Sequence, residues 1–265
     1  YIDIDNGYLS LLVKAAGDGP VRSLDRYMND QWFEERHIDL ESTMDLGVAR
    51  VLSSLLNERG GYFVVVNKKG LHFHYRYRYP DDMASTIWNP VMEASDPIDP
   101  SPTGREKLVN TYDNGIRFQV DAFFRAFVSE TTNPNYVILY TSDHGQTLAE
   151  HGQLYTHMKP DKVIVDVPDF LVSGERYNKK GFLDEIPPGI RVSHLNNFAT
   201  LLDLMGVPMS SRIRPYDKSI FSLTAEDNRV RYYMSGSLHG LGDYVVKEIP
   251  TPPYAGWGVS RPVGK

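Results

Sequence analysis

The stretch at residues 136–145 most constrains the fold, because an apolar, β-branched run stops there abruptly at an acid, an imidazole and a glycine. A short continuous apolar run bounded by turn residues is typical of a buried strand in a parallel sheet. In open α/β sheets, ligands bind just beyond the carboxyl ends of such strands, where Asp143 and His144 fall. A carboxylate beside an imidazole supplies two of the ligand types that zinc prefers. The pair alone does not separate a metal site from a turn with a capping acid.

Length and composition set outer limits on the function. A chain of 265 residues suits one large α/β domain or two small ones. The formal net charge of −6 argues against a nucleic-acid binder that relies on a basic surface. The sequence has no cysteine, which excludes disulfides, thiolate metal sites and a cysteine nucleophile. No apolar run approaches the ~18 residues of a membrane-spanning helix, and no signal peptide opens the chain.

Strand and helix patterns alternate along the chain. Apolar residues at three- and four-residue steps predict helices over 39–59, 105–130 and 193–206, and apolar runs predict strands over 62–67, 136–141 and 163–172. This alternation predicts an α/β fold with a mostly parallel sheet and helices on both faces. Residues 230–234 and 244–246 predict a small antiparallel C-terminal element. No linker signature interrupts residues 1–265, which predicts a single domain. The first residues resemble the middle of a strand, so we expect further sequence upstream.

Histidines cluster after the predicted strands. Five of the eight histidines follow strands or belong to the adjoining loops: His72, His74, His144, His151 and His157. Loops at the carboxyl edge of one parallel sheet converge in space, so a shared site is expected. Each histidine taken alone is better interpreted as a solvated or hydrogen-bonded loop residue, and this interpretation is kept for His74, His151, His194 and His239.

Several motifs occur together in a fixed order. They comprise Phe63-Val64-Val65-Val66 leading to Gly70-Leu71-His72, then Arg78-Tyr79-Pro80, Asn110-Thr111-Tyr112-Asp113-Asn114, Ser142-Asp143-His144-Gly145, Tyr155-Thr156-His157, and Ser193-His194 leading to Leu201-Leu202-Asp203. In this order they resemble the sulfatase-like branch of the alkaline phosphatase superfamily. The resemblance is greatest to the phosphoethanolamine transferases that modify lipid A and related envelope glycans.

The resemblance implies a role for four residues. It matches Asp143 and His144 to ligands of the main Zn²⁺ ion, and His72 and His157 to histidines that bind the substrate phosphate or a second metal. It implies a zinc-activated threonine that attacks a phospholipid donor, followed by transfer of the phosphoethanolamine group to an envelope lipid or glycan. It also implies an inner-membrane protein whose catalytic domain lies in the periplasm and whose membrane segment is upstream, this chain being soluble by itself.

Parts of the family pattern have no counterpart in these residues. The nucleophile and the first zinc ligand are expected upstream, and Ser42 and Thr43 are not assigned because no matching strand precedes them. We therefore expect this fragment to contain no catalytic nucleophile, to be inactive alone and to bind zinc poorly. Gln146 replaces a glutamate of the family pattern, and Phe73-His74 replaces Gly-Pro. Two alternatives stay open: a phosphodiesterase or sulfatase that uses water as acceptor, and a degenerate non-catalytic domain.

Overall fold

The computed structural model of the chain describes residues 2–3, 44–58, 61–82, 86–150, 157, 162–179, 181–188, 190, 192–214, 216–224, 227, 231–236 and 244–249. The chain divides into two compact units, of which the first comprises Tyr1–Asn133 with Thr147–Thr156 and the second Pro134–Gln146 with His157–Lys265. Residues 4–43 and 250–265 fall outside the described residues, and so do His151 and His239.

Long helical segments dominate the first unit. Helix α1 (Met44–Glu58) lies within the helix predicted over 39–59. The helix predicted over 105–130 is present as α2 (Pro102–Ile116), a π-helical segment (Arg117–Ala122) and α3 (Phe123–Glu130). The start of α2 combines a proline at its first position with a side-chain cap, since the Ser101 hydroxyl accepts a hydrogen bond from the Gly104 N–H at 3.1 Å.

Helices α1 and α3 are joined by side-chain hydrogen bonds as well as by packing. The Ser53 hydroxyl donates to the Phe127 carbonyl at 3.1 Å, and the Asn57 amide donates to the Glu130 carbonyl at 2.8 Å. The Phe127 side chain is buried. A separate core cluster, which packs the loops around α2, consists of Tyr75, Met92, Leu108 and Ala149.

The strand predicted over 62–67 forms only at its end. Strand β2 (Val66–Asn67) pairs in parallel with β1 (Ile2–Asp3), whereas residues 61–65 lie outside the strand. The predicted burial of this run is wrong for Phe63 and Val65, which are 57% and 42% exposed. Apolar content identified the position of the strand, but burial depends on a covering element that the pattern does not specify.

The strand predicted over 136–141 is present in the second unit as β3 (Val137–Thr141). Its neighbour is β4 (Asp169–Ser173), and the two run antiparallel with Thr141 opposite Asp169. The mostly parallel sheet is therefore not confirmed by the described residues. A parallel neighbour needs a long crossover, usually a helix, and the described residues between β3 and β4 contain only a single helical turn.

The strand predicted over 163–172 is wrong in its first half. Residues Lys162–Val165 form a one-turn helix, α4, and only the second half of the prediction is β4. The turn buries Ile164 and exposes Val163, and the Ile164 carbonyl accepts a hydrogen bond from the Gly145 N–H. Pro168 has no N–H to donate to a strand ladder, and β4 begins directly after it at Asp169.

The predicted helix at 193–206 is confirmed as α6 (His194–Leu204), which follows the short helix α5 (Glu175–Asn178). The predicted C-terminal element is confirmed as an antiparallel pair, β5 (Arg231–Gly236) and β6 (Tyr244–Ile249). The predicted turn between β5 and β6 lies outside the described residues. Within the part of the chain that the structure describes, no helix has the length and apolar character needed to cross a bilayer.

Candidate metal centre

The turn that follows β3 carries Asp143 and His144, as predicted. Close backbone approach fixes its path, because the Gly145 N–H donates to the Ile164 carbonyl of α4 at 2.7 Å. A Cβ atom at Gly145 would lie 2.0 Å from the Val163 carbonyl oxygen, so only glycine fits there. The turn is thus held against α4 by its backbone, which leaves the side chains of Asp143 and His144 to project from it.

The two carboxylate oxygens of Asp143 have different environments. Oδ1 accepts a hydrogen bond from the His144 backbone N–H at 2.8 Å. Oδ2 lies 3.6 Å from His144 Nε2, and the Asp143 side chain is 86% exposed. One oxygen therefore orients the carboxylate, while the other faces solvent beside the imidazole.

The His144 ring is oriented by its own backbone. Nδ1 lies 2.8 Å from the Gly145 carbonyl oxygen. A carbonyl can only accept, so Nδ1 carries the proton and Nε2 keeps its lone pair, which is the tautomer that binds a metal. Ligand atoms bonded at about 2.0–2.1 Å with tetrahedral angles lie roughly 3.3 Å apart. The 3.6 Å separation of Asp143 Oδ2 and His144 Nε2 is close to that spacing.

His157 joins this cluster, as the sequence predicted. Its ring stacks on the ring of His144, with 4.5 Å between centroids. Its Nδ1 lies 3.3 Å from the side-chain oxygen of Gln146. The Gln146 amide can accept or donate once it is turned over, so this contact orients the His157 ring without fixing which nitrogen carries the proton.

A further histidine, His194, touches the same turn, although sequence reasoning assigned it no role. Its Nε2 lies 2.9 Å from the Ser142 carbonyl oxygen and 3.3 Å from the Thr141 hydroxyl. Asp169 lies opposite Thr141 on β4. Burial raises the pKa of the Asp169 carboxyl, and the nearby His194 ring acts in the opposite direction. The Ser-His start of α6 was the sequence signal that could have identified His194.

His72 lies in the first unit, in the loop that follows β2. Its Nδ1 lies 2.7 Å from the Phe73 carbonyl oxygen, so this ring also keeps its lone pair on Nε2. The Arg78 guanidinium donates to the His72 carbonyl at 2.8 Å and holds the loop. The structure thus brings together Asp143, His144 and His157 within the second unit, and the sharing of a site with His72 stays a prediction.

Two donor atoms in this turn have the chemistry of zinc ligands. Asp143 Oδ2 and His144 Nε2 are the required atom types and are adjacent. An ionised carboxylate and a neutral imidazole would each offer a lone pair to the metal at these atoms. Among the described residues, however, no cluster of three or more histidine, cysteine or acidic side chains could hold a metal by itself. The pair is therefore an incomplete donor set for a four-coordinate ion.

The chain shows similarity to known proteins. A family model described as Sulfatase matches residues 27–207. The Kdo(2)-lipid A phosphoethanolamine 7''-transferase of Escherichia coli (strain K12) is 28% identical over 99 residues, which are 37% of this chain and 16% of that protein.

A second relative extends the matched region. The phosphoethanolamine transferase EptA of Salmonella typhimurium (strain LT2) is 28% identical over 162 residues, which are 56% of this chain and 28% of that protein. The matched region thus spans less than a third of the length of either relative. No solved structure gives a significant match.

Proposed function

We propose a function for this chain from one established premise: the chain belongs to the Sulfatase family. It is part of a metal-dependent enzyme that transfers a phosphoryl-alcohol group of the phosphoethanolamine type to an envelope lipid or glycan. The observation that carries the proposal is the turn after β3, where Asp143 Oδ2 and the lone pair of His144 Nε2 lie 3.6 Å apart. The two relatives support the transferred group, because both are named as phosphoethanolamine transferases.

Each site residue has a definite part in this proposal. Asp143 and His144 would hold Zn²⁺, which when bound supplies Lewis acidity and lowers the pKa of a coordinated hydroxyl. His157, stacked on His144, would either donate a hydrogen bond to a non-bridging oxygen of the transferring phosphoryl group when its ring is protonated, or coordinate a second metal through its Nε2 lone pair. The same two roles are proposed for His72. The exposed Asp143 carboxylate can approach a metal without losing a buried partner.

The proposal concerns the whole protein of which these residues are a part. By family resemblance, a threonine nucleophile, a further zinc ligand and a membrane segment are expected in sequence upstream. The chain alone is then expected to be inactive and to bind zinc weakly. The donor would be a phospholipid, and the catalytic domain would face the periplasm.

Zinc content and group transfer by the full-length protein test this function. His144→Ala and Asp143→Asn should each reduce bound zinc, measured by plasma mass spectrometry, and lower transfer by at least about 100-fold, since even outer-shell changes cost 10–100-fold. Asp184→Asn is the matched control, because Asp184 is exposed in the same unit and lies outside the turn. Retained zinc and transfer in His144→Ala would contradict the metal assignment.

The product distinguishes the proposed transferase from a hydrolase, an alternative that the Sulfatase description itself favours. Mass spectrometry of an added lipid acceptor should reveal the mass of one phosphoethanolamine group. Release of the free head group in water, with no modified acceptor, would replace the transferase by a phosphodiesterase. The absence of both products and of bound zinc would favour a non-catalytic domain.

A further inference from the structure

His194 makes the most informative contact outside the predicted site. It is the first residue of α6, yet its ring reaches the end of β3, where Nε2 lies 2.9 Å from the Ser142 carbonyl oxygen. A histidine at the first helical position does not need such a contact for helix formation, because Ser193 is the N-cap and forms a capping box with Asn196. The contact therefore serves the turn that it reaches.

The chemistry of this contact fixes its direction. The Ser142 carbonyl oxygen can only accept, so His194 Nε2 carries a proton and donates it. The Thr141 hydroxyl, 3.3 Å from the same nitrogen, is a second and longer contact. One N–H group thus contacts both the last residue of β3, Thr141, and the first residue of the turn, Ser142.

Ser142 relays this contact to the proposed ligand. Its hydroxyl donates to the His144 carbonyl at 2.7 Å, while its carbonyl receives the bond from His194. Two consecutive hydrogen bonds therefore lead from the His194 ring to the backbone of His144. Rotation of the Ser142–Asp143 peptide would break the first of them and redirect both proposed ligands.

The residue that provides this support is itself well anchored. Asn196 accepts a hydrogen bond from the Ser193 N–H at 2.9 Å, and its amide donates to the Lys218 carbonyl at 2.9 Å. The Asn196 side chain is only 2% exposed. The start of α6 is thereby hydrogen-bonded to the segment that contains Lys218, which fixes the backbone from which the His194 side chain extends.

We infer that His194 is a positioning residue that fixes the Asp143–His144 turn in its metal-binding geometry through the Nε2–H bond to the Ser142 carbonyl. Its consequence for metal binding rests on the proposed function, whereas its effect on the turn does not. Outer-shell groups that orient metal ligands typically change affinity by 10–100-fold when removed.

Two amide substitutions in the full-length protein distinguish the effect of losing this hydrogen bond from the effect of losing side-chain volume. Glutamine places its amide nitrogen near the position of histidine Nε2, whereas asparagine places it near Nδ1. His194→Gln should therefore keep the donor to Ser142, and His194→Asn and His194→Ala should lose it. Global unfolding midpoints, measured alongside, identify any variant that fails to fold.

Hydrogen exchange is the first measurement, because it requires neither metal nor substrate. In metal-free protein, the Gly145 amide should exchange about tenfold faster in His194→Asn than in the wild type, while His194→Gln stays within about threefold. Zinc affinity, measured by competition with a chelator, should fall about 10–100-fold in His194→Asn and recover in His194→Gln. For group transfer, kcat should fall while KM changes little.

The outcomes are distinct. Equal exchange and equal zinc affinity in the glutamine and asparagine variants, with both folded, would overturn the inference. Zinc binding and transfer that survive His144→Ala would remove the proposed function, and faster exchange in His194→Asn would then still establish His194 as the support of the turn.

Discussion

The loop that carries His72 and the turn that carries His144 present their imidazoles in the same way but are anchored differently. In each, Nδ1 donates to the carbonyl of the next residue, at 2.7 Å for His72 and 2.8 Å for His144. Each ring therefore keeps its lone pair on Nε2. The difference lies in what holds the backbone beneath the ring.

The His72 loop is anchored by buried charge. Asp45, which is 1% exposed, accepts hydrogen bonds from the Lys69 and Gly70 backbone N–H groups at 3.1 and 2.9 Å. The Lys68 ammonium lies 3.8 Å from Asp45 and 3.8 Å from the centre of the Phe123 ring. It also donates to the Gln119 carbonyl at 2.5 Å. A carboxylate and an ammonium thus hold the loop against α1 and the π-helical segment.

The His144 turn is held by close backbone contact with α4 and by a hydrogen bond from the His194 ring to the Ser142 carbonyl. No ion pair among the described residues contributes to it, apart from the adjacent Asp143–His144 contact. The comparison teaches that one ring geometry can be reached by two physical routes. Changes of charge and pH should therefore act on the His72 loop, and changes of volume on the His144 turn.

Removing the buried carboxylate should give the largest effect. Asp45→Ala leaves the Lys68 ammonium buried without its partner and two N–H groups without their acceptor, so the free energy of unfolding should fall by about 3–5 kcal/mol. Hydrogen exchange of α1 amides reports this loss within the first unit. The double variant Asp45→Asn with Lys68→Met removes both charges and keeps an acceptor oxygen, and it should recover most of the stability. A double variant as unstable as Asp45→Ala would show that charge is not the anchor.

The same anchor should make stability depend on pH. Burial lowers the pKa of Lys68 from 10.5 to about 8, and the attraction of Asp45 only partly opposes this. The unfolded chain then binds more protons between pH 8 and 10.5, so the free energy of unfolding should rise with pH across this window. The cost of the buried charge is fully present below about pH 8.

The size of this rise is up to about 3 kcal/mol, at 1.36 kcal/mol for each pKa unit. The difference between wild type and Lys68→Met, taken at each pH by urea unfolding, removes the contribution of tyrosines that titrate in the upper part of the window. A difference that stays constant from pH 8 to 10.5 would refute the buried-lysine account.

The His144 turn should instead respond to volume. Gly145→Ala places a Cβ 2.0 Å from the Val163 carbonyl, a backbone atom that no side-chain rotation can move. The free energy of unfolding should fall by about 1–3 kcal/mol, with faster exchange of β3 amides. Gly70→Ala is the matched control in the other loop, where φ is +55° and no atom lies within 4 Å of the added Cβ. There the cost is the left-handed conformation alone, about 1–2 kcal/mol, and Gly70→Asn should recover part of it.

Exposed charge should matter least. In the second unit the Lys179 ammonium lies 2.6 Å from the Glu175 carboxylate, but both side chains are about 70% exposed. Lys179→Ala should therefore change the free energy of unfolding by less than about 0.5 kcal/mol. A loss comparable to that of Asp45→Ala would mean that burial is not what distinguishes the two ion pairs.

The long helices and the turn after β3 were predictable because their signals are local. The stripes over 39–59 and 105–130 repeat through several helical turns, and periodicity sustained over that length is specific to a helix. The Val163–Val165 run was too short to show such a repeat. β-branched residues can form a single helical turn, so residue type did not separate helix from strand here. The partner of β3 could not be predicted, because pairing depends on the path of the chain between strands.

The candidate site was predicted in its local part and missed in its non-local part. Asp143, His144 and His157 share one motif block, and the structure brings them together. His194 reaches the turn from the start of α6, and Asp169 lies opposite Thr141 through the pairing of β4 with β3; both placements depend on tertiary structure. Residue types near a strand end can thus indicate donors, whereas the groups that orient the donors require the structure.

The chain passes between the two units three times within a short span: after Asn133, after Gln146 and after Thr156. Neither unit is therefore a continuous piece of polypeptide, and no single cut yields either one whole. The motif block that contains His144 and His157 is interrupted by a segment, Thr147–Thr156, that belongs to the other unit. Gene fusions, truncations or limited proteolysis that treat the units as separable modules would divide the motif block itself. An insertion within 147–156 would lengthen the tether between the two stacked histidines.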